Sequence, residues 1–356
     1  YSNSYRLVGS LLVGSIFMVG LMGNIMVVIV VSRWKSMHTP TNCYLVSLAV
    51  ADLLLLIFAC PPTIVDFFNI VDDYVFGRVA CKSMVFAQYL AINLGSLSIT
   101  AFTVERFAAI CHPILTHRFC TVERALRILA CLWLFGLAYC SPWLFLADTK
   151  QSTYDDGTMT EECTFKIARN HYFIYFMADL IVFYLLPLIT SVLLYVLIAR
   201  RLYRGAGMRA SDRSDNKNDN NTSSHNSNNT IAHKQTTFAN RNRVIKMLAI
   251  VVLMFAVLWL PYRAYVVYNS LATPLYCRWT LLTVRIMVYA NSSINPILYS
   301  AMSSKFRRAF ICLLSFRSKR FHQQQQLLQQ RQQLQSLQAY ERQMHNKRLS
   351  ACLNPL

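Results

Sequence analysis

Charged and amide side chains interrupt long apolar stretches of this chain, and their chemistry is pairing and switching rather than bond breaking. Glu105 and Arg106 stand side by side, so the carboxylate can hold the guanidinium by a charge-assisted hydrogen bond and later release it. Asp52, Asn24, Asn291 and Asn295 lie within apolar runs. An ionisable group at bilayer depth costs at least ~2.5–3.5 kcal/mol, so each needs a reason, the plainest being an interhelical hydrogen bond. Pro261 follows Trp259 and Phe255, and Pro296 follows Asn295. A proline inside a helix removes a backbone hydrogen bond and leaves a kink about which half a helix can swing. In the soluble parts no nucleophile and base set, metal-ligand spacing or phosphate loop stands out, so an enzyme is not expected and no cofactor is assigned.

These residues need a membrane bundle to hold them. The 356 residues are 55% hydrophobic and 14% charged, too apolar for an ordinary soluble chain. Runs long enough to cross a bilayer, which takes about 20 residues, occur at Val8 to Val31, Tyr44 to Phe68, Met84 to Ile110, Ala125 to Leu146, Tyr172 to Ile198, Val244 to Tyr268 and Leu281 to Met302. The expected fold class is therefore an all-α membrane protein, a bundle of seven transmembrane helices. A seven-span transporter is the distant alternative, but internal repeats and broken helices with midplane ion sites are not evident.

The net charge of +19 would suit nucleic acid, yet the cations sit between particular spans, so no nucleic acid is expected. Arg33 and Lys35 follow the first span, Arg118 and Arg124 the third, and Arg200, Arg201, Arg204, Arg241, Arg243 and Lys246 flank the link between fifth and sixth. The alternate loops carry acids: Asp66, Asp72 and Asp73, then Asp148, Asp155, Asp156, Glu161 and Glu162. Because Lys and Arg stay on the cytoplasmic side, the amino terminus is expected outside and the carboxyl terminus inside a plasma-membrane protein. The chain opens with Tyr1 rather than Met, and a truncated or processed sequence is expected. Cys81 and Cys163 both face the oxidising side and are expected to form a disulfide.

Composition divides the chain into a seven-span domain, residues 1–316, and a Gln-rich cytoplasmic tail, 317–356. Within the first, 205–240 shifts to Asn, Ser, Asp, Lys and Thr and reads as a disordered link. Its flanks, Leu197 to Arg204 and Phe238 to Lys246, read as helical extensions. Past the last span, Phe306, Ala309, Phe310, Leu313 and Phe316 recur at helical spacing among Lys305, Arg307, Arg308 and Arg317. That pattern makes a short amphipathic helix on the inner leaflet, in contact with lipid. Cys312 sits on it as a candidate for palmitoylation, with a plain buried thiol as the alternative.

Asn24, Asp52 after Leu48-Ala49-Val50-Ala51, Glu105-Arg106-Phe107, Trp133, Pro187 with Tyr195, Phe255 with Trp259 and Pro261, and Asn295-Pro296-Ile297-Leu298-Tyr299 occur one group per helix. The constellation resembles the rhodopsin-like family of G-protein-coupled receptors across all seven spans. The resemblance implies that opening of the sixth helix lets Arg106 face Tyr195 and Tyr299, with a heterotrimeric G protein and arrestin as partners. Asp52 with Asn291 and Asn295 resembles the family's internal sodium site, but Gly95 replaces the serine that commonly completes it, so no metal is assigned.

Gln88 stands where amine receptors carry an aspartate and Tyr289 where opsins carry the retinal lysine, which argues against both ligands. The candidate ligand set is Gln88, Tyr89, Asn93, Tyr262, Arg263 and Arg285. It offers amide recognition, aromatic stacking and cations for a carbonyl or carboxylate, which suits a small peptide with blocked ends. The alternative for either arginine is pairing with an outer acid such as Glu161 or Glu162. Thr39 to Leu53, Ser98 to Arg106, Cys111-His112-Pro113-Ile114 and Leu258 to Arg263 resemble the thyrotropin-releasing hormone receptors more closely. That resemblance implies Tyr89 and Asn93 at a pyroglutamyl end, Tyr262 at a middle residue and Arg285 at a carboxyamide, with coupling to a Gq-type protein, phospholipase C and calcium release. The Asn-rich link and Gln-rich tail depart from the family and suggest an invertebrate relative.

Overall fold

The computed structural model describes residues 3–68, 73–112, 120–153, 159–167, 169–215, 227–271 and 277–314. The tail 317–356, the centre of the Asn-rich link (216–226), Phe316 and Arg317 lie outside them. Helix α1 spans Asn3–Arg33, α2 Pro40–Phe68, α3 Gly77–Cys111 and α4 Val122–Cys140. Helix α5 begins at Arg169–Leu180, widens into a π turn at Ile181–Leu185 and continues over Leu186–Asp215. Helix α6 covers Ser227–Leu271 and α7 Arg278–Met302. The fifth and sixth helices thus run into both ends of the 205–240 link.

Six of these helices are long and apolar enough to cross a membrane; α7 is not among the six. The reason lies in its composition: Arg285, Asn291, Ser292, Ser293 and Asn295 dilute its apolar residues, and the last four are buried. Polar groups face inward around the bundle, with Asn24, Asp52, Asn93 and Asp179 buried, while Leu134, Ile189, Leu193 and Leu253 face out. Such an inverted surface suits lipid, where every polar group must be satisfied internally.

Small residues set the spacing. A Cβ added at Gly20 would come within 2.3 Å of Ser293 Oγ and 2.6 Å of Leu56 Cδ1, and one at Gly23 within 2.9 Å of Pro296. Helix α1 therefore lies against α7 through close backbone approach, and Asn24 Nδ2 locks the contact by donating to Ser292 O at 2.9 Å. Ser47, Ser98 and Trp133 link α2, α3 and α4 by hydrogen bonds of 2.9 and 3.0 Å. The π turn has a cause in Pro187, which cannot donate to the carbonyl of Phe183 and whose ring presses on it; just before it, Leu186 N reaches back five residues to Ile181 O.

After α4 comes a single helical turn, Trp143–Leu146, and the two together make the fourth apolar span, Val122–Leu146. An antiparallel hairpin follows, which composition did not suggest: β1 (Ala147–Thr153) pairs with β2 (Met159–Phe165), Thr149 opposite Cys163. Cys81 and Cys163 are bonded, their Cα atoms 5.7 Å apart, as expected from their exposure to the same side. Asp148 on β1 receives Arg78 in a fork, Nε at 2.5 Å and Nη2 at 2.8 Å, and Lys166 Nζ lies 3.3 Å away. The hairpin is thereby pinned to the start of α3.

Considered by itself, α8 (Ser304–Leu314) buries Phe306, Ala309, Phe310 and Cys312, the apolar face its spacing anticipated.

Candidate ligand cavity and switch residues

Beneath the hairpin, α1, α2, α3, α6 and α7 line a cavity of about 690 Å³. Gln88 and Arg285 line it, with Tyr5, Asp66, Asp73, Glu162, Arg278 and Tyr289. Gln88 is oriented by a proline on the preceding helix, α2. Pro62 has no N–H to give the carbonyl of Phe58, and Gln88 Nε2 supplies the missing donor at 2.9 Å. Tyr289 is fixed similarly, its hydroxyl 3.0 Å from Thr63 Oγ1 while Thr63 donates to Ala59 O at 2.9 Å. Tyr5 closes the outer end, its ring edge-on to Phe67 at 5.5 Å and to Trp279 at 4.9 Å. Arg285 Nη1 stands 3.9 Å from Asp66 Oδ2.

The other four candidate ligand residues lie off this cavity. Tyr89 stacks on Trp143, ring centres 4.0 Å apart at 11°. Asn93 Nδ2 donates to Asp179 Oδ1 at 2.8 Å, and Arg263 Nη1 donates to Asp179 Oδ2 at 2.6 Å. Tyr262 meets Trp259 edge-on at 6.1 Å, and the Arg263 guanidinium sits 5.6 Å from the Trp259 ring centre. Asp179 is thus a buried node joining α3, α5 and α6, and it occupies Arg263 in place of the outer acids Glu161 and Glu162. Asn93 Oδ1 and Arg263 Nε are buried without a hydrogen-bond partner among the described residues.

Asp179 was missed in the sequence although the signal was there: it is the only carboxylate between Tyr172 and Ile198, and an acid at that depth calls for a partner. Asp66 was read as a loop acid, but α2 carries on to Phe68 and turns its carboxylate into the cavity.

At the other end of the bundle, Arg106 Nη2 lies 3.8 Å from Glu105 Oε1, an ion pair beyond hydrogen-bond length. Asn295 Nδ2 donates to Asp52 Oδ2 at 2.9 Å, with Asn291 buried one turn earlier. A Cβ at Gly95 would meet only Leu48 Cδ1 at 3.8 Å, so the glycine leaves room where a serine commonly completes the family's site and supplies no hydroxyl of its own. Phe255 lies between Tyr184 and Trp259, at 5.8 and 6.3 Å, nearly two turns before Pro261. Tyr299 is buried and Tyr195 half-buried.

Seven helices carry a disulfide-pinned hairpin over a cavity at one end and the Glu105–Arg106 pair at the other. Residues 23–299 match the family described as seven-transmembrane receptor, rhodopsin family, and the chain belongs to it. It is a multi-pass plasma-membrane receptor of the G-protein-coupled kind, not an enzyme. The chain is 46% identical to the thyrotropin-releasing hormone receptor of Bos taurus over 322 residues, 88% of this chain and 80% of that protein. It is also 46% identical to the one of Gallus gallus over 323 residues, 89% and 80% of the two chains. A more distant relative is the QRFP-like peptide receptor of Branchiostoma floridae, 30% identical over 319 residues, 87% and 78% of the two chains.

Proposed function

We propose that this receptor binds a small amidated peptide of the thyrotropin-releasing-hormone type on its outer side and activates a Gq-type G protein, phospholipase C and calcium release. Its amino terminus is extracellular and its carboxyl terminus cytoplasmic, with the 317–356 tail available to arrestin and Cys312 to a palmitoyl chain. The observation that carries the reading is the cavity under the hairpin, where an amide (Gln88) and a guanidinium (Arg285) line the wall in a chain nearly half identical to thyrotropin-releasing hormone receptors. A blocked peptide presents carbonyls and amide N–H groups but no net charge, and these groups suit that wall.

Tyr89, Asn93, Tyr262 and Arg263 complete the proposed contact set. Support for Asn93 and Arg263 comes from their partnerless Oδ1 and Nε atoms, since an unmade buried hydrogen bond costs about 1–3 kcal/mol that a ligand amide would recover. A peptide that bonds those two atoms leaves the Arg263–Asp179 ion pair closed and shifts the node that joins α3, α5 and α6. Helix α6 then swings at Pro261, the Glu105–Arg106 pair opens, and Arg106 meets Tyr195 and Tyr299. Differential affinity for the two states is what makes the ligand an agonist.

The test is calcium release in cells expressing the full chain and challenged with an amidated-peptide library that includes thyrotropin-releasing hormone. A concentration-dependent response that a Gq inhibitor abolishes is expected. No response to any member would overturn the reading, and a response surviving the inhibitor would move the coupling to another G protein.

A further inference from the structure

We infer that the outer end of α1 belongs to the peptide site and that Tyr5 is a specificity-determining contact for an apolar side chain of the ligand. The inference rests on the peptide reading and adds side-chain recognition to it. Gln88 and the charged groups of the cavity wall suit the amides of a peptide backbone. The aliphatic and phenyl groups of the wall are gathered apart from them: Ala59, Pro62 and Phe67 come from α2, Leu281 and Leu282 from α7. Tyr5 of α1 lines the cavity beside these two helices, and its ring closes their outer end against Phe67 and Trp279.

The position of Tyr5 is built by its neighbours. Gly9 follows it by four residues and so shares its face of α1. A Cβ at Gly9 would come within 2.7 Å of Phe67 Cζ, so the missing side chain is what lets the Phe67 ring seat against α1. Phe67 fills that notch, 2% exposed, and meets Tyr5 one turn further out, the ring planes at 77°. Trp279, in the first turn of α7, meets Tyr5 from the other side with the planes at 90°. Two edge-on contacts of this favoured kind set the plane of the ring. The hydroxyl contributes little to that: it donates to Arg278 O at 3.5 Å in an exposed position, where water competes for the same carbonyl.

Packing thus orients the Tyr5 ring and leaves it half-buried, with surface still to cover. An apolar side chain laid between that ring and Pro62, Leu281 and Leu282 leaves water for a wall that is already formed, whereas a polar one gives up hydration there without a partner. Helix α1 therefore reads a side chain while α3 and α7 hold the backbone.

The experiment is a double-mutant cycle between receptor and peptide. Each amidated peptide that releases calcium is remade with one side chain at a time cut back to alanine, and potency is read on wild type, Tyr5→Ala and Tyr5→Phe receptors at matched surface level. Tyr5→Ala is expected to lose about tenfold toward the parent peptide. For the analogue lacking the apolar side chain that faces α1, the loss is expected to shrink to about twofold or less, because that contact is already gone. Tyr5→Phe, which keeps the ring, is expected to stay within about threefold of wild type. A Tyr5→Ala loss of the same size for every analogue marks a tie between helices rather than a ligand contact and overturns the inference. Unaltered potency of Tyr5→Ala, or a Tyr5→Phe loss as large as that of Tyr5→Ala, overturns it too, and in all three cases the peptide reading stands. Silence of wild type toward every amidated peptide overturns that reading and the inference with it.

Discussion

Two arginines on neighbouring helices, Arg263 and Arg285, carry the same charge and end in different chemistry. Arg263 has a side chain 9% exposed, closes on Asp179 at 2.6 Å and shares that carboxylate with Asn93. Arg285 has a side chain 37% exposed and faces Asp66 at 3.9 Å across a cavity. Burial decides which is structural at rest. A desolvated pair cannot be opened without exposing an uncompensated charge to low dielectric, whereas a half-exposed pair exchanges its partner for a ligand group at little cost. The α3–α5–α6 side of the bundle is therefore built to resist and the α1–α2–α7 side to accept.

The largest expected effect breaks the resistant side. Asp179→Ala strands the Arg263 guanidinium in the bundle and removes the acceptor of Asn93, a change expected to cost about 3–5 kcal/mol. Surface expression and thermal stability in detergent should collapse. Replacing both partners by apolar residues, Asp179→Leu with Arg263→Met, should recover most of the stability, because a well-packed apolar pair is often no worse than a buried ion pair. If Asp179→Ala folds as well as wild type, the two arginines do not differ in the way their burial says.

The accepting side predicts a smaller and different loss. Arg285→Ala should reach the surface normally, since its guanidinium is solvated, and lose about 10- to 100-fold in peptide potency, the worth of a hydrogen bond to a charged group. Lys150→Ala, on exposed β1, should lose almost none. Equal losses for the two would mean that the ligand sits elsewhere than beside α7. Poor surface expression of Arg285→Ala would mean that its pair with Asp66 is structural after all.

Much of this was legible in the residues. Apolar runs of bilayer length marked the helices and charge bias marked their links, because lipid enforces both. Cys81 and Cys163 could be paired because only one side of the membrane oxidises them. The hairpin was not legible, since β1 reads Ala-Asp-Thr-Lys-Gln-Ser-Thr, polar throughout, and its pairing is imposed by the disulfide and by Arg78 on Asp148. Nor were the partners of the two arginines. Periodicity places Asn93 and Arg263 on inward faces, but which carboxylate they meet depends on how α5 is wound, and the π turn after Asp179 is a response to Pro187. Gln88 was read as a polar residue of the outer half of the bundle, while its bond to the carbonyl that Pro62 leaves without a donor emerges only when α2 and α3 are packed.

The smallest expected effect belongs to the hairpin that covers both sides. The fork from Arg78 holds the Asp148 carboxyl well below its usual range, Thr149 N and Lys166 adding to it against partial desolvation. A carboxyl depressed in the folded state adds stability above its unfolded value, about 3.9, and loses it as pH falls through the folded value. The tether should therefore be indifferent to pH over roughly 5 to 8 and weaken only in strong acid. Peptide affinity measured across that range should follow the same curve in wild type and in Asp148→Asn, with the variant modestly weaker throughout. A midpoint in the wild-type curve that vanishes in Asp148→Asn would show that the carboxyl titrates there and that the Arg78 fork does not hold it.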